Sequence, residues 1–372
     1  MRYYVEPPFN ADLGFAYETW IKRPEERGRL DGLLTACLRD EVLPERKRAN
    51  AISWRGVMTK ILTAPYEDRD AWSLNVMYLD GTLYFEEHLS DEKLKEKENM
   101  TPRHRLQTYY GYAFESYCSS ATPDPAQDPD KRTNGWSGNV NTNVQWCSVV
   151  KTKLGDNRLI IGGEVDCVED VDTPGKYTGQ PNTFVELKTS LVIRNGVDEA
   201  RFEKKLLKFY FQSFLLGVPT IKVGFRTPVG LLKNLQSFKT VELPRLVRNK
   251  PGAWDPNLCL QWGAQFLAFV QSTIRNWRFD ETPSTNGNKD ECLPSRPESR
   301  GDTPELKAVP REQCVWRVNF YPGKGAEVVL LDNAAVADVR NGEDRIGFLP
   351  RDYWDMVVSP ARTEEIDARK TS

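Results

Sequence analysis

The spacing of apolar and polar residues along the chain predicts several β-strands. Strict alternation, or a short apolar run between turn residues, is typical of a strand. We expect three of these strands, residues 143–154, 158–169 and 183–193, to form a central antiparallel sheet. The full set of predicted strands is residues 51–65, 73–88, 143–154, 158–169, 183–193, 220–227 and 313–332, where 73–88 and 313–332 are hairpins.

Three longer stretches have the 3.6-residue period of an amphipathic helix. Residues 101–120 open with a Thr-Pro start signal, and residues 198–217 have an acidic first turn and a closing glycine. Residues 257–279 show the same period. Residues 14–40, interrupted by Pro24, predict a short helix followed by a longer one.

The order of these elements favours a single mixed α/β domain over residues 1–372, although the length also allows two or three domains. Strands lie on both sides of residues 280–312, a stretch rich in Pro, Ser, Asn, Gly and charge that predicts a flexible insertion. Residues 360–372 predict a frayed tail.

Composition and charge narrow the classes of function. The formal net charge of −2 gives no overall attraction to nucleic acid, so any RNA binding requires a local basic groove. The seven cysteines form no C-x-x-C pair and there are only two histidines, which argues against zinc sites, a disulfide framework and a His-based triad. The chain shows no secretory signal and no apolar run long enough to span a bilayer, so we expect a soluble protein in a reducing compartment, without a membrane.

Two predicted strands carry acidic residues among apolar ones. Because successive strand side chains point to opposite faces, Glu164 and Asp166 share a face, as do Glu186 and Lys188. Carboxylates on adjoining strands can converge on Mg²⁺, and a nearby lysine can orient a water or neutralise a phosphoryl oxygen. Alternating Glu and Lys are also typical of an exposed sheet face. We favour a metal site because the strands are otherwise apolar, and a buried carboxylate needs a partner or an ion.

Five motifs in a fixed order raise the specificity of this interpretation. They are WRGVMTKI from Trp54, GYAFE from Gly111, EVD from Glu164, ELK from Glu186 and KFYFQSFLLGVPTIKVGFR from Lys208. Each is weak alone, but together the chain from about Arg2 to Arg226 resembles the DXO decapping family, with weaker similarity to about residue 356. The resemblance implies a mixed α/β core of two largely antiparallel sheets flanked by helices, related to metal-dependent nucleases of the acid-x-Lys type. It also implies more chain, including another strand, before Arg2.

The same resemblance implies a set of site residues. Lys188 and Gln212 would position the water or the scissile phosphate, and Arg55 would bind the RNA 5′ phosphate with its forked guanidinium. Gly111 would allow close backbone approach. Mg²⁺ or Mn²⁺ would be held by Glu115, Asp166 and Glu186, by Glu164 partly through water, and by the backbone carbonyl of Leu187.

Each of these roles has a structural alternative in the sequence. Glu115 is also consistent with an exposed helix position, although the surrounding aromatic residues favour a partly buried one. Gln212 is also consistent with a solvated helix position, and Arg55 with a structural ion pair. Trp54 is expected in the core.

The activity implied by the resemblance is hydrolysis at RNA 5′ ends. The enzyme would release pyrophosphate from 5′-triphosphate RNA, or a cap nucleotide from incompletely capped or NAD-capped RNA, in nuclear RNA quality control. It would hold single-stranded RNA by its 5′ phosphates. Two alternatives stay open: the protein stabilises a partner, a nuclear 5′→3′ exoribonuclease, or it is itself a 5′→3′ exoribonuclease.

Overall fold

Two mixed β-sheets and the helices packed against them form the framework of the protein. The computed structural model describes residues 1–39, 42–128, 135–169, 181–277 and 310–358. The strands are β1 (Tyr3–Tyr4), β2 (Ala51–Trp54), β3 (Trp72–Leu79), β4 (Thr82–His88), β5 (Ser119–Ser120), β6 (Cys147–Leu154), β7 (Asn157–Glu164), β8 (Cys167–Val168), β9 (Phe184–Leu191), β10 (Thr220–Arg226), β11 (Leu232–Lys239), β12 (Trp316–Tyr321), β13 (Gly325–Leu330), β14 (Arg345–Ile346) and β15 (Leu349–Pro350).

The helices range from one turn to six turns. Within the described ranges they are α1 (Asp31–Cys37), α2 (Leu43–Arg46), α3 (Arg55–Thr63), α4 (Asp91–Glu98), α5 (Pro102–Tyr117), α6 (Gly196–Leu216), α7 (Leu243–Val247), α8 (Pro256–Asn276), α9 (Asn333–Arg340) and α10 (Arg351–Val358). None of these helices combines the length and the apolar character needed to cross a bilayer.

The larger sheet has seven strands in the order β13-β12-β3-β4-β2-β7-β6, and the smaller has six in the order β11-β10-β9-β8-β1-β5, counting described residues only. Both contain parallel and antiparallel pairs: β2 runs parallel to β4 and β7, and β9 runs parallel to β10. The expected fold class, two mixed sheets flanked by helices, is confirmed.

The chain passes from the larger sheet to the smaller one at its acidic motif. Strand β7 ends at Glu164 in the larger sheet, and Cys167 already belongs to β8 in the smaller sheet. Asp166 therefore lies at the junction between the sheets. This crossing contradicts the prediction of one central antiparallel sheet, because β9 pairs with β8 and β10 in the smaller sheet while β6 and β7 pair in the larger.

The main apolar core joins both sheets through three helices. Buried side chains of α3, α6 and α8 pack in one continuous cluster with residues of β3, β10 and β12. Helix α5 belongs to a second cluster on the other side of the smaller sheet, where Phe114 packs against Leu187 and Leu232. The smaller sheet is therefore covered on both faces, which explains the apolar character of β9 and β10.

The predicted hairpins and long helices are confirmed. The first hairpin turns at Asp80-Gly81, both with positive φ, and the second joins β12 to β13. Helix α5 is capped by Thr101, α6 by Asn195 and at its end by Gly217 with φ 72°, and α8 by Asp255.

One prediction of local structure was wrong. The stretch 51–65 is a strand only to Trp54 and then becomes α3, whose buried residues at 57, 58, 61 and 62 follow a helical period that the apolar run concealed. In residues 14–40 the predicted order of a short helix and a longer one is confirmed: the first is a single 3₁₀ turn, Tyr17–Thr19, and the second is the seven-residue α1. The predicted insertion, apart from residues 310–312, and the predicted tail lie outside the described residues.

A glycine in the smaller sheet, Gly224, allows the close approach of Phe114 from helix α5, and this contact can be tested. A Cβ built on Gly224 would lie 2.5 Å from Phe114 Cε2, so Gly224→Ala should lower the free energy of unfolding by about 2 kcal/mol. Gly111 of α5 is the matched control, because a Cβ there would meet no atom within 4 Å and alanine favours a helix interior by roughly 0.5–1 kcal/mol. Urea denaturation should show the two variants shifting in opposite directions. Equal stability of wild type and Gly224→Ala would contradict this packing.

Candidate active site

The acidic motifs and their basic companions meet where the two sheets adjoin. Glu164 ends β7 and Asp166 follows it, while Glu186 and Lys188 project from one face of β9. Glu115 approaches from the last turn of α5. Two strands, the residue that follows shortly after one of them, and one helix thus supply these charged groups.

Glu186 is the most fully engaged of the carboxylates. Its side chain is fully buried, and Arg55 Nη1 donates to its Oε2 at 2.8 Å while Lys188 Nζ donates to its Oε1 at 2.5 Å. Burial raises the pKa of Glu186, but Lys188 and then Arg55 outweigh it, so the pKa is lowered overall. Glu186 is therefore ionised and forms ion pairs with both cations, Arg55 and Lys188, inside the site.

Arg55 occupies a position that a cation does not favour by itself. It is the first residue of α3, where the helix dipole is positive. Burial lowers its pKa, but Glu186 and Asp166 more than offset this, so the pKa is raised. The ion pair with Glu186 matches the structural alternative weighed for Arg55; phosphate binding by Arg55 stays a prediction.

Asp166 is bound by the backbone of the neighbouring strand. The Leu187 N–H donates to Asp166 Oδ2 at 2.6 Å. Burial, then repulsion by Glu186, raises the pKa of Asp166 to about 7, although Lys188 and this hydrogen bond oppose the shift. The predicted role of Leu187 as a carbonyl ligand stays a prediction; the observed contact uses its N–H.

Glu164 is oriented by a glutamine that the sequence interpretation had not singled out. Gln145 Nε2 donates to Glu164 Oε2 at 3.3 Å, and Arg23 Nη1 donates to Gln145 Oε1 at 3.3 Å. The arginine thereby fixes which end of the amide faces the carboxylate. Burial raises the pKa of Glu164, and the positive charge of Arg55 partly opposes this.

Glu115 is the carboxylate with the least compensation. Burial and then repulsion by Asp166 and Glu164 hold its pKa well above the usual range. It lines the same pocket as Asp166 and Glu164. The alternative of an exposed helix position is therefore wrong for Glu115; metal ligation by Glu115 stays a prediction.

The site carries more negative than positive charge. With every group ionised, Glu115, Glu164, Asp166 and Glu186 contribute −4 and Arg55 and Lys188 contribute +2, which leaves −2. Carboxylate oxygens are the ligands that Mg²⁺ and Mn²⁺ prefer, and a divalent cation would balance the excess charge, so the donor set fits such an ion. Among the described residues no three His, Cys, Asp or Glu side chains form a ready-made cage, since Glu186 is turned towards Arg55 and Lys188.

A pocket of about 440 Å³ opens beside these carboxylates. Its far wall is the segment leading into β6, which is tied to the N-terminal region by backbone hydrogen bonds between Ile21 and residues 140 and 142. The sequence interpretation missed this wall; its signal was the run of amide side chains at 139, 141, 143 and 145. The lining includes Met1, Arg2, Tyr112, Glu115, Ser116, residues 137–142, Val144, Gln145, Trp146, Glu164 and Asp166.

Three other residues named in the sequence analysis are not among those that line this pocket. Gln212 is half-buried on α6, one turn before Leu216, which packs beside Gly163; its catalytic role stays a prediction. Trp54 is packed over Gly162 and donates from Nε1 to the Arg29 carbonyl at 2.8 Å, which confirms its core position. Protein packing alone does not require glycine at position 111.

Comparison with known proteins identifies the family of this chain. A family model described as RAI1 like PD-(D/E)XK nuclease matches residues 1–354. The "Decapping nuclease RAI1" of Mycosarcoma maydis is 37% identical over 409 residues, which cover 94% of this chain and 78% of that protein. The human "Decapping and exoribonuclease protein" is 38% identical over 286 residues, which cover 74% of this chain and 70% of that protein.

The fold comparison agrees with the sequence comparison. Candida albicans Rai1, solved in complex with pU5-Mn2+, matches with a TM-score of 0.71 and 25% identity, covering 95% of this chain and 88% of that one. The resemblance drawn from the five motifs is confirmed, and the chain belongs to the RAI1-like PD-(D/E)XK nuclease family.

Proposed function

We propose that this nuclease is a divalent-metal-dependent hydrolase of RNA 5′ ends. The observation that carries the proposal is the buried excess of carboxylates around Arg55 and Lys188, of which Glu115, Glu164 and Asp166 line the adjoining pocket. A phosphate hydrolase needs this combination, because oxygen ligands hold the metal while cations receive the phosphoryl oxygens.

The donor set suits Mg²⁺ or Mn²⁺, and the Mn2+ bound to the Candida albicans relative supports this choice. Glu115, Asp166 and Glu186 would hold the ion, with Glu164 acting partly through water and Leu187 through its carbonyl. When bound, such an ion polarises a phosphoryl oxygen and lowers the pKa of a coordinated water.

The remaining steps depend on side chains of this chain. Glu164, whose pKa is raised by burial, is suited to take a proton from the attacking water, and Gln145 holds it in position. Lys188 and Arg55 are already inside the site, where both can contact oxygens of the scissile phosphate. Gln212 would orient the water from α6.

The proposed substrates are RNAs with a 5′ group to be removed. Attack on the phosphate nearest the RNA body would release pyrophosphate from 5′-triphosphate RNA, or a cap nucleotide from incompletely capped or NAD-capped RNA. The names of the relatives support decapping, and a pocket of about 440 Å³ has room for a nucleotide-sized group. We place this activity in nuclear RNA 5′-end quality control on the family resemblance.

Two further roles are proposed as alternatives. The name of the human relative favours an added exoribonuclease activity, in which the first nucleotide itself is the leaving group. Stabilisation of a nuclear 5′→3′ exoribonuclease is the other. Co-purification with that enzyme, and full binding by variants of the metal site, would support the partner role.

Removing two of the carboxylates should abolish hydrolysis. Asp166→Ala combined with Glu186→Ala leaves Arg55 and Lys188 without their counter-charge and removes two predicted ligands, so the rate of pyrophosphate release from 5′-triphosphate RNA should fall by roughly 100-fold or more. Circular dichroism of the variant checks that it folds. Undiminished release of pyrophosphate or cap by a folded double variant would contradict the proposal.

The buried charge of Asp166 should make stability depend on pH and on metal. Because its pKa is about 7 when folded and about 4 when unfolded, the folded state binds more protons between these values, and stability falls as pH rises from about 4 to about 7. Asp166→Asn should therefore melt a few degrees higher than wild type at pH 8 without metal. Added Mn²⁺ should raise the melting temperature of wild type and do so much less for the variant.

Asp156→Asn, in the exposed β6–β7 turn, is the matched control for this charge change. It should leave both the melting temperature and its response to Mn²⁺ unchanged. An Asp166→Asn protein that responds to Mn²⁺ as strongly as wild type would remove Asp166 from the metal site.

Product analysis on three RNAs separates the proposed activities. We expect wild type with Mn²⁺ to release pyrophosphate from 5′-triphosphate RNA or a cap nucleotide from capped RNA, because water oriented in the site would attack the phosphate nearest the RNA body. Mononucleotides released from 5′-monophosphate RNA would establish the exoribonuclease alternative. Inertness on all three RNAs would favour the role of a stabilising partner.

A further inference from the structure

The face of β9 that carries Glu186 and Lys188 continues to one more polar residue. Side chains two apart share a face, so Ser190 lies on the same side, roughly 6.6 Å beyond Lys188 along the strand. Ser190 is buried, at 4% exposure. The strand therefore presents a polar track that begins at the site and leads away from it.

Helix α6 packs along this track and supplies its cation. Lys205, Phe209 and Gln212 lie four and three residues apart and so share one face of the helix. Lys205 Nζ donates a hydrogen bond to Ser190 Oγ at 3.4 Å. Lys205 lies about 10 Å along the helix from Gln212, so this bond is at the far end of the track. The track thus has Glu186 at one end and the Lys205–Ser190 pair at the other.

Within the described ranges Lys205 has no carboxylate partner, and neither has nearby Arg226, whereas two other lysines of this region are paired. Lys208 lies 3.6 Å from Glu67, and Lys250 pairs with Glu199 and Glu203. Burial, and then the positive charge of Arg226, lower the pKa of Lys205. An anion at this position would relieve both effects.

We propose that Lys205 and Ser190 bind the first internucleotide phosphate of the RNA, the one that follows the scissile phosphate. This inference rests on the proposed function. One strand step from Lys188 to Ser190 is comparable with the separation of adjacent phosphates in an extended single strand, and an ammonium beside a hydroxyl recognises a phosphate without reading a base.

The RNA body fits this end of the track better than the leaving group does. Strand β9 ends one residue after Ser190, and residues 193–197 that follow it are exposed, so a polymer can continue outwards there. The pocket lined by Glu115, Glu164 and Asp166 includes no residue of β9, and its volume of about 440 Å³ suits a compact leaving group.

The test compares substrates that differ only in the presence of this phosphate. Lys205→Ala should lower kcat/KM for a 5′-triphosphorylated oligonucleotide about tenfold, and leave hydrolysis of a nucleoside triphosphate unchanged because that substrate has no internucleotide phosphate. A methylphosphonate at the first linkage of the oligonucleotide should remove the difference between wild type and variant. Ser190→Ala should show the same pattern with a smaller loss.

Lys204→Ala is the matched control, since Lys204 is the adjacent lysine of α6 and is exposed on a different face of the helix. It should leave both substrates unaffected. Equal losses on the oligonucleotide and the nucleoside triphosphate, or a loss that persists with the methylphosphonate, would overturn the assignment of Lys205.

Binding measurements keep this assignment distinct from the proposed activity. Fluorescence anisotropy of a 5′-phosphorylated oligonucleotide, with Ca²⁺ in place of Mn²⁺, should show about tenfold weaker binding by Lys205→Ala and a smaller salt dependence. A wild type that binds RNA but does not hydrolyse it would contradict the proposed function. The binding comparison would still test the assignment of Lys205. Unaltered binding by Lys205→Ala would defeat the inference alone.

Discussion

An uncompensated negative charge inside the protein is the constraint on which the site depends. Four carboxylates and two cations share one largely buried region, where burial limits the screening of the excess by water. The chain accommodates it in two ways: Glu186 is ionised between Arg55 and Lys188, while the pKa values of Glu115 and Asp166 rise. Such an arrangement is costly for folding alone, and it is the condition in which a divalent cation binds best.

The crossing between the sheets brings these charges together. A strand that stayed in one sheet would place Glu164 and Asp166 along a single surface. Because β7 ends and β8 begins within three residues, the EVD motif spans the junction, and β9 brings ELK to it from the smaller sheet. Close packing holds the junction: a Cβ at Gly163 would lie 2.9 Å from Arg55 Cβ, so the glycine lets α3 bring Arg55 to Glu186.

The pairing of Arg55 with Glu186 bears on how the site meets its substrate. A phosphate that binds Arg55 must compete with the carboxylate of Glu186 for its guanidinium. This competition would be weaker if a bound metal ion shared the charge of Glu186. With the proposed roles of Glu186 and Arg55, metal binding and phosphate binding would therefore be linked through one side chain. Gln145 makes a second connection: it donates a hydrogen bond to Glu164 and belongs to the segment that lines the pocket.

Local patterns determined much of this protein. The hairpin turns, the capped helices α5, α6 and α8, the acidic motifs and the alternation that pairs Glu186 with Lys188 are all legible in the sequence, because each depends on residues a few positions apart. The tertiary structure alone decided that β9 joins β10 and not β7, that Arg55 contacts a carboxylate 131 positions away, and that the amide-rich segment before β6 faces the acids. These outcomes depend on contacts between distant parts of the chain, whose energies no local period encodes.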